Sequence, residues 1–186
     1  INNTRTTDTV IRRELELIEG DAFNSLKLER SLRNVRNLGY FANVSVRNIA
    51  GSSPEQTITE IEVEEQSTGE LSFGLGYSSL DKATFSLGVN ERNFMGTGRG
   101  LEATIGSSDS RTDIRLGVVE PYFLGRDLLG RATIFNQQIE QNSTNIDKVG
   151  FDLSVRFNAA NDFYHRLGYK LSKAQTSVDS TTAQSV

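Results

Sequence analysis

The sequence has 186 residues, with 20 Lys and Arg against 24 Asp and Glu, no Cys and a single His. The net charge of -4 and the lack of a large basic cluster argue against a nucleic-acid surface, because such surfaces bind by neutralising phosphates. Without cysteine there is no disulfide framework or thiolate metal site, and no window offers the ~18 apolar residues of a spanning helix. A change of pattern near residue 66 predicts two domains, 1–66 and 67–186.

Residues 1–66 mix helical and strand patterns. A short first helix is predicted from the N-cap candidate Thr7 to the stop signal Gly20, and a second one from Ser25 to Gly39. The second helix carries an apolar stripe at helical spacing, formed by Leu28, Leu32, Val35 and Leu38. Strands are expected around 43–48 and 57–65, and residues 1–4 resemble the tail of an earlier strand. The predicted order is therefore strand, helix, helix, strand, strand, with the first strand mostly missing.

The second predicted strand carries an acidic run of Glu60, Glu62, Glu64 and Glu65. Charges on a strand either alternate between its faces or lie at an exposed edge. We therefore interpret the run as solvated rather than functional.

From residue 70 onward, apolar and polar residues alternate in stretches of about ten, separated by turn residues. In the first stretch Leu71, Phe73, Leu75 and Tyr77 fall on one face, and five later stretches repeat the pattern. Only residues 128–135 are ambiguous in phase. This alternation is typical of a transmembrane β-barrel wall, with lipid on one side and a wet lumen on the other. A soluble antiparallel sandwich alternates too, so it stays open as an alternative.

Residues 96–100, Gly-Thr-Gly-Arg-Gly, superficially resemble a phosphate-binding loop. No helical pattern follows them, so we predict a hairpin turn between two strands. His165 is the only histidine, it lies at a predicted strand end, and there is no Gly-x-Ser-x-Gly elbow. The sequence therefore predicts no catalytic residue, no metal and no cofactor, and an enzyme is not expected.

A series of short motifs carries a family resemblance: Asn3-Thr-Arg-Thr6, Val10-Ile-Arg-Arg-Glu-Leu15, Leu38-Gly-Tyr-Phe41, Val63-Glu-Glu-Gln-Ser-Thr-Gly69, Glu91-Arg-Asn-Phe-Met-Gly-Thr-Gly98 and Glu120-Pro-Tyr-Phe-Leu-Gly125. In this order they resemble the BamA family of outer-membrane assembly factors, at its last POTRA (polypeptide-transport-associated) domain and first barrel strands. Family members carry several POTRA domains and a complete barrel, whereas this chain has room for one domain and about seven strands. We therefore expect it to be part of a longer protein.

The resemblance implies an α+β POTRA domain in the periplasm, followed by antiparallel strands of an outer-membrane β-barrel. It implies that the protein folds and inserts β-barrel proteins by strand-edge templating at a lateral seam, without chemistry. The implied partners are nascent outer-membrane proteins, accessory lipoproteins and outer-membrane lipid. A related POTRA transporter, for two-partner secretion or autotransporter assembly, and a soluble β-sheet binding module remain as alternatives.

The resemblance also implies roles for individual residues. The seam would be the first barrel strand, Glu70, Leu71, Ser72, Phe73, Gly74, Leu75, Gly76 and Tyr77. Its two glycines would weaken pairing with a neighbouring strand. Small residues that only fit the packing of the barrel wall would give the same sequence pattern.

Two further sets follow from the same resemblance. Arg12 and Glu19 would contact an accessory lipoprotein, although as exposed charges they could equally be solvated. A periplasmic aromatic girdle, with ordinary packing beside turns as the alternative, would consist of Phe94, Tyr122, Phe123, Phe163 and Tyr164.

Overall fold

The computed structural model describes residues 3–53, 56–141, 144–160 and 163–178. The chain divides into two compact units, Ile1–Thr68 with Arg92–Gly98, and Gly69–Glu91 with Arg99–Val186. The sequence boundary near residue 66 did not anticipate that 92–98, from the second half of the chain, belongs to the first unit. The exact domain boundary stays a prediction.

The first unit contains two helices and an antiparallel hairpin: α1 (Asp8–Arg12), α2 (Ser25–Asn37), β1 (Phe41–Ala50) and β2 (Thr57–Glu65). The predicted stripe of α2 faces the core, with Leu28, Leu32 and Val35 buried. They pack with residues from α1, from the hairpin and from the position just before it, namely Val10, Ile11, Tyr40, Phe41, Val44 and Val63. The described residues contain no helix with the length and apolar character of a membrane span.

The first predicted helix is too long. It ends at Arg12, where the Glu14 and Leu15 amides make tighter turn bonds to the Ile11 and Arg12 carbonyls, and the backbone there also bonds to α2. The Glu16 amide donates to Ser31 Oγ at 2.8 Å, and Asn34 Nδ2 donates to the Glu14 carbonyl at 3.2 Å.

The predicted helix caps are partly wrong. Asn24, not Ser25, is the N-cap of α2, since its extended backbone lets Oδ1 accept from the Lys27 amide at 3.1 Å. Thr7 precedes α1 but makes no side-chain capping bond. Gly39 ends α2 with a φ of +68°, as predicted. Of the expected strand tail, Asn3 and Thr4 are not in a strand, and residues 1–2 lie outside the described residues.

The second unit is built on a seven-stranded antiparallel sheet in which every strand pairs with its neighbours in chain order. Its strands are β3 (Gly69–Ser78), β4 (Lys82–Phe94), β5 (Arg99–Ser108), β6 (Arg111–Glu120), β7 (Leu129–Gln141), β8 (Thr144–Ala160) and β9 (Phe163–Val178). Strands β3 and β9 are at the two edges of the described sheet. The hairpin predicted at residues 96–100 is confirmed as the turn between β4 and β5.

Strand register collects the apolar residues on one face of this sheet. Leu71 lies opposite Val89, and Ile134 lies between Leu116 and Phe151. This also settles the ambiguous segment, because Ile134 is on the apolar face. Leu71 remains 71% exposed, which is unlike a residue of a sandwich core.

Candidate functional site

The predicted seam strand is the edge strand β3. Its pairing with β4 runs without a shift from Gly69 opposite Glu91 to Ser78 opposite Lys82. Its other edge has no partner strand within the described ranges. Leu71, Phe73, Leu75 and Tyr77 share the exposed apolar face, and Glu70, Ser72, Gly74 and Gly76 alternate with them. The edge therefore offers a row of unpaired backbone donors and acceptors.

The two glycines of β3 lie against hydroxyl groups of β4. A Cβ at Gly74 would come within 2.5 Å of Ser86 Oγ, and one at Gly76 within 2.7 Å of Thr84 Oγ1. Small residues are thus needed for the hydroxyls to fit in these rotamers. This geometry supports the wall-packing interpretation, and the role of the glycines in a seam stays a prediction.

Arg12 and Glu19, the predicted lipoprotein contact, bind each other. Arg12 Nη1 lies 2.8 Å from Glu19 Oε1, and the two side chains are 58% and 85% exposed. The hydrogen bond from Arg12 to Glu19 raises the pKa of the guanidinium above its ordinary value. An exposed pair of this kind contributes little to stability, so it is available to a partner.

The five predicted girdle residues lie near strand ends, but not on one face. Phe94 and Phe123 are each 38% exposed, and Phe163 is 71% exposed. Tyr122 is partly buried beside Phe123. Tyr164 lies opposite Asn158, on the polar side of β9, with the Arg156 guanidinium 5.7 Å from its ring centroid. A common girdle stays a prediction.

Glu65 is a site that the sequence interpretation got wrong. Its carboxylate accepts hydrogen bonds from the amides of Thr4, Arg5 and Thr6 at 2.9, 2.9 and 2.6 Å, and from Thr4 Oγ1 at 2.9 Å. Burial alone would raise the pKa of Glu65, but these bonds outweigh it and lower the pKa to about 2. The adjacent pair Glu64 and Glu65 was the available signal, because neighbouring strand residues face opposite sides.

The remaining acidic side chains of that run behave differently. Glu60 and Glu62 both pair with Arg47, at 2.7 and 3.2 Å, whereas Glu64 is exposed. The prediction that these side chains are solvated therefore holds for Glu64 and is wrong for Glu65. Glu60 and Glu62 are in ion pairs with Arg47.

The segment 92–98 is held within the first unit by its own polar contacts. Asn93 Nδ2 donates to Thr6 Oγ1 at 2.8 Å, and Asn93 Oδ1 accepts from the Gly98 amide at 2.8 Å. The Thr7 amide donates to the Gly96 carbonyl at 2.9 Å. Asn93 is 6% exposed, so these bonds satisfy a buried amide. Sequence reasoning missed this role because the partners are nearly ninety residues apart, as the separation of 87 between Thr6 and Asn93 shows.

The polar side of the sheet carries an ion pair that spans a strand. Arg131 Nη1 on β7 lies 2.5 Å from Glu102 Oε2 on β5, although β6 lies between them. Gly117 of β6, opposite both Glu102 and Thr133, leaves room for the two long side chains to meet. Within the described ranges, no three His, Cys, Asp or Glu side chains cluster as a metal site requires.

Comparison with protein families agrees with this two-part organisation. Residues 1–66 match the POTRA family, described as a surface antigen variable number repeat, and residues 93–186 match the Omp85 superfamily domain. The chain belongs to the Omp85 superfamily. The POTRA fold followed by antiparallel barrel strands is therefore confirmed, as is the resemblance to BamA.

Two outer membrane protein assembly factors are similar to the chain in sequence. A putative outer membrane protein assembly factor of Treponema pallidum is 39% identical over 136 residues, covering 69% of this chain and 16% of that protein. The outer membrane protein assembly factor BamA of Neisseria meningitidis is 32% identical over 165 residues, covering 82% and 20%. The chain thus spans a fifth or less of these two relatives.

A solved structure shares the fold. The crystal structure of BamA from Haemophilus ducreyi lacking POTRA domains 1–3 superposes with a TM-score of 0.80 at 22% identity. The match covers 92% of this chain and 34% of that one.

Proposed function

We propose that the chain is part of an outer-membrane assembly factor that folds and inserts β-barrel proteins without chemistry or a cofactor. The observation that carries this proposal is the edge strand β3, whose outer edge lacks a partner in the described sheet and whose apolar face is exposed. Its similarity to outer membrane protein assembly factors favours this role over a two-partner secretion or autotransporter system.

Templating by β3 follows from the cost of unpaired backbone in lipid. Water cannot satisfy amide and carbonyl groups inside the bilayer, so an incoming strand gains strongly by pairing with an available edge. Strand β3 would receive that strand by β-augmentation, which depends on main-chain bonds and tolerates many client sequences. Release would follow when the client closes on itself.

The proposed setting has the sheet in the outer membrane and the POTRA domain in the periplasm. Lipid would contact the apolar face, nascent barrel proteins would contact β3, and an accessory lipoprotein would contact the Arg12 and Glu19 pair. Each of these partners is a proposal that follows from the family membership of the chain.

A disulfide lock in the full-length protein tests the seam. A cysteine at Ser72 joined to one on the last barrel strand should block assembly and growth under oxidising conditions, and reductant should restore both. Cysteines at Leu75 and Phe85, which lie opposite each other on β3 and β4, give the control lock, since it joins strands that are already paired. Normal growth with the seam lock fully formed would contradict the proposal.

Charge reversal tests the lipoprotein contact. Glu19→Arg should abolish co-purification of the lipoprotein, because it removes the carboxylate and repels Arg12. Glu29→Arg is the matched control, since Glu29 belongs to an equally open pair with Arg33. The double variant Arg12→Glu with Glu19→Arg restores an ion pair with the two charges exchanged. It should not restore binding if the lipoprotein recognises each charge at its own position. Wild-type co-purification of Glu19→Arg would remove the assignment.

A further inference from the structure

The cations on the polar side of β6 and β7 are neutralised within the sheet. Arg131 pairs with Glu102 across β6. The carboxylate of Asp113 accepts from Arg111 Nη2 at 3.0 Å and from Arg115 Nε at 2.7 Å. Each arginine on this part of the polar side therefore has a carboxylate close enough for an ion pair.

The polar side of β8 and β9 carries more positive charge than it neutralises. Strand register places four cations and one anion there, namely Lys148, Arg156, Arg166, Lys170 and Asp152. Lys170 lies opposite Asp152, but its Nζ is 4.9 Å from the centroid of the Phe135 ring. Among the described residues, none of the four cations forms an ion pair. The excess of positive charge is thus confined to these two strands, although the whole chain has a net charge of -4.

Two of these cations, Arg156 and Arg166, lie directly opposite each other. Residues in such positions have Cβ atoms about 5 Å apart, and like charges there destabilise the pairing of the strands. The Arg156 guanidinium lies 5.7 Å from the centroid of the Tyr164 ring, whereas Arg166 has no ion pair or ring contact with another described residue. The pair is therefore destabilising until an anion binds between the two guanidinium groups.

The position of the arginine pair limits which anion can reach it. Val155 and Leu167, the next residues along the two strands, lie on the apolar face, so lipid on that face is separated from the pair by the sheet. The strand proposed to receive client proteins, β3, is at the other edge of the described sheet. The chain covers 34% of the solved BamA structure, whose fold it shares, so most of such a barrel lies outside these residues. A part of the same protein is therefore the anion source that stays beside β8 and β9.

We propose that the polar side of β8 and β9 is an internal docking surface for a carboxylate-bearing segment of the same protein beyond residue 186. An Asp or Glu of that segment lies between Arg156 and Arg166 and accepts hydrogen bonds from both guanidinium groups. The segment is thereby fixed to the wall at the opposite edge of the described sheet from β3. The inference rests on the proposed function, in which the chain is part of a longer assembly factor and this side of the sheet faces the lumen.

The sign of a stability change tests the docking surface. In the full-length protein folded into phosphatidylcholine vesicles, Arg166→Gln should lower the urea midpoint, because it removes a partner of the docked carboxylate. Without a bound anion, the same change would relieve the repulsion from Arg156 and raise the midpoint. Arg131→Gln, which breaks the pair with Glu102, gives the size of the shift for a lost ion pair, and Arg126→Gln, in an exposed turn, is the control for loss of a charge alone. A rise or no change for Arg166→Gln would overturn the proposal.

Photo-crosslinking identifies the docked segment without removing either arginine. Benzoylphenylalanine in place of Ser154, on the polar side two residues from Arg156, should crosslink to a peptide of the same chain beyond residue 186 that contains Asp or Glu. Replacing that acid by its amide should lower the urea midpoint as Arg166→Gln does, and the double variant should add little to either single one. Full additivity would show that the acid and Arg166 do not interact, and would overturn the proposal.

A second crosslinking position separates the docking surface from the proposed function. Benzoylphenylalanine in place of Leu153, on the apolar face, should crosslink to lipid acyl chains. Lipid crosslinking at Leu153, together with a crosslink from Ser154 only to a client protein, only to lipid or to nothing, overturns the docking surface and leaves the proposed function intact. No lipid crosslink at Leu153 overturns both, because the apolar face would then lie outside the membrane.

Discussion

Gly96→Ala is expected to weaken the attachment of segment 92–98 by at least about 3 kcal/mol. Gly96 has a φ of +71°, which disfavours any side chain, and a Cβ there would overlap the Arg5 carbonyl oxygen and come within 3.0 Å of Thr6 Cα. Both contacts are with backbone, so no side-chain rotation relieves them. The backbone would have to separate, and the bond from the Thr7 amide to the Gly96 carbonyl would be lost.

Hydrogen exchange of the Thr7 amide measures this effect in the full-length protein. Its protection should fall by about a hundredfold or more, as a loss of 3 kcal/mol requires. Gly20→Ala is the matched control, because Gly20 has a φ of +93° but no atom within 4 Å of the added Cβ. Gly20→Ala should lower the stability by only about 1 kcal/mol, the cost of a left-handed backbone for a residue that has a Cβ. Equal losses of protection in the two variants would refute the close-contact explanation.

Glu65→Gln is expected to destabilise the first unit by roughly 3 kcal/mol at neutral pH. The estimate follows from the lowering of the Glu65 pKa from its ordinary value of 4.5 to about 2. The carboxylate accepts four hydrogen bonds from residues 4–6, whereas an amide offers one acceptor oxygen and adds a donor that faces other donors. Removing the charge therefore weakens the contact between β2 and the segment that precedes α1.

The same effect has a defined pH dependence. Because the folded state lowers the pKa, the carboxylate contributes fully above about pH 4.5, and its contribution is lost as the pH falls towards about 2. The difference in unfolding free energy between wild type and Glu65→Gln should shrink over that window, as measured by urea unfolding at a series of pH values. Glu64→Gln, an exposed neighbour, should change stability by less than about 0.5 kcal/mol at any of them. A difference that does not depend on pH would show that the ionised carboxylate is not the source.

What the sequence by itself determined was the repetitive part of the protein. Apart from residues 128–135, the period-two alternation from β3 to β9 specifies both the strands and the face each residue occupies, since successive side chains point to opposite sides. The apolar stripe of α2 likewise identifies its buried face, because residues at helical spacing share one side of the helix. Ordered short motifs extended this to the family, which the Omp85 match confirms.

Only the tertiary structure decided the features that join distant parts of the chain. Glu65 looked like one more exposed acid until residues 4–6 were placed against it, and Asn93 had no predicted contact until the fold brought it to Thr6. The end of α1 also involves bonds to α2, which no local stop signal predicts. The physical reason is common to all three. A hydrogen bond depends on distance and direction between two groups, and a periodic pattern in one segment carries no information about which remote group will be there.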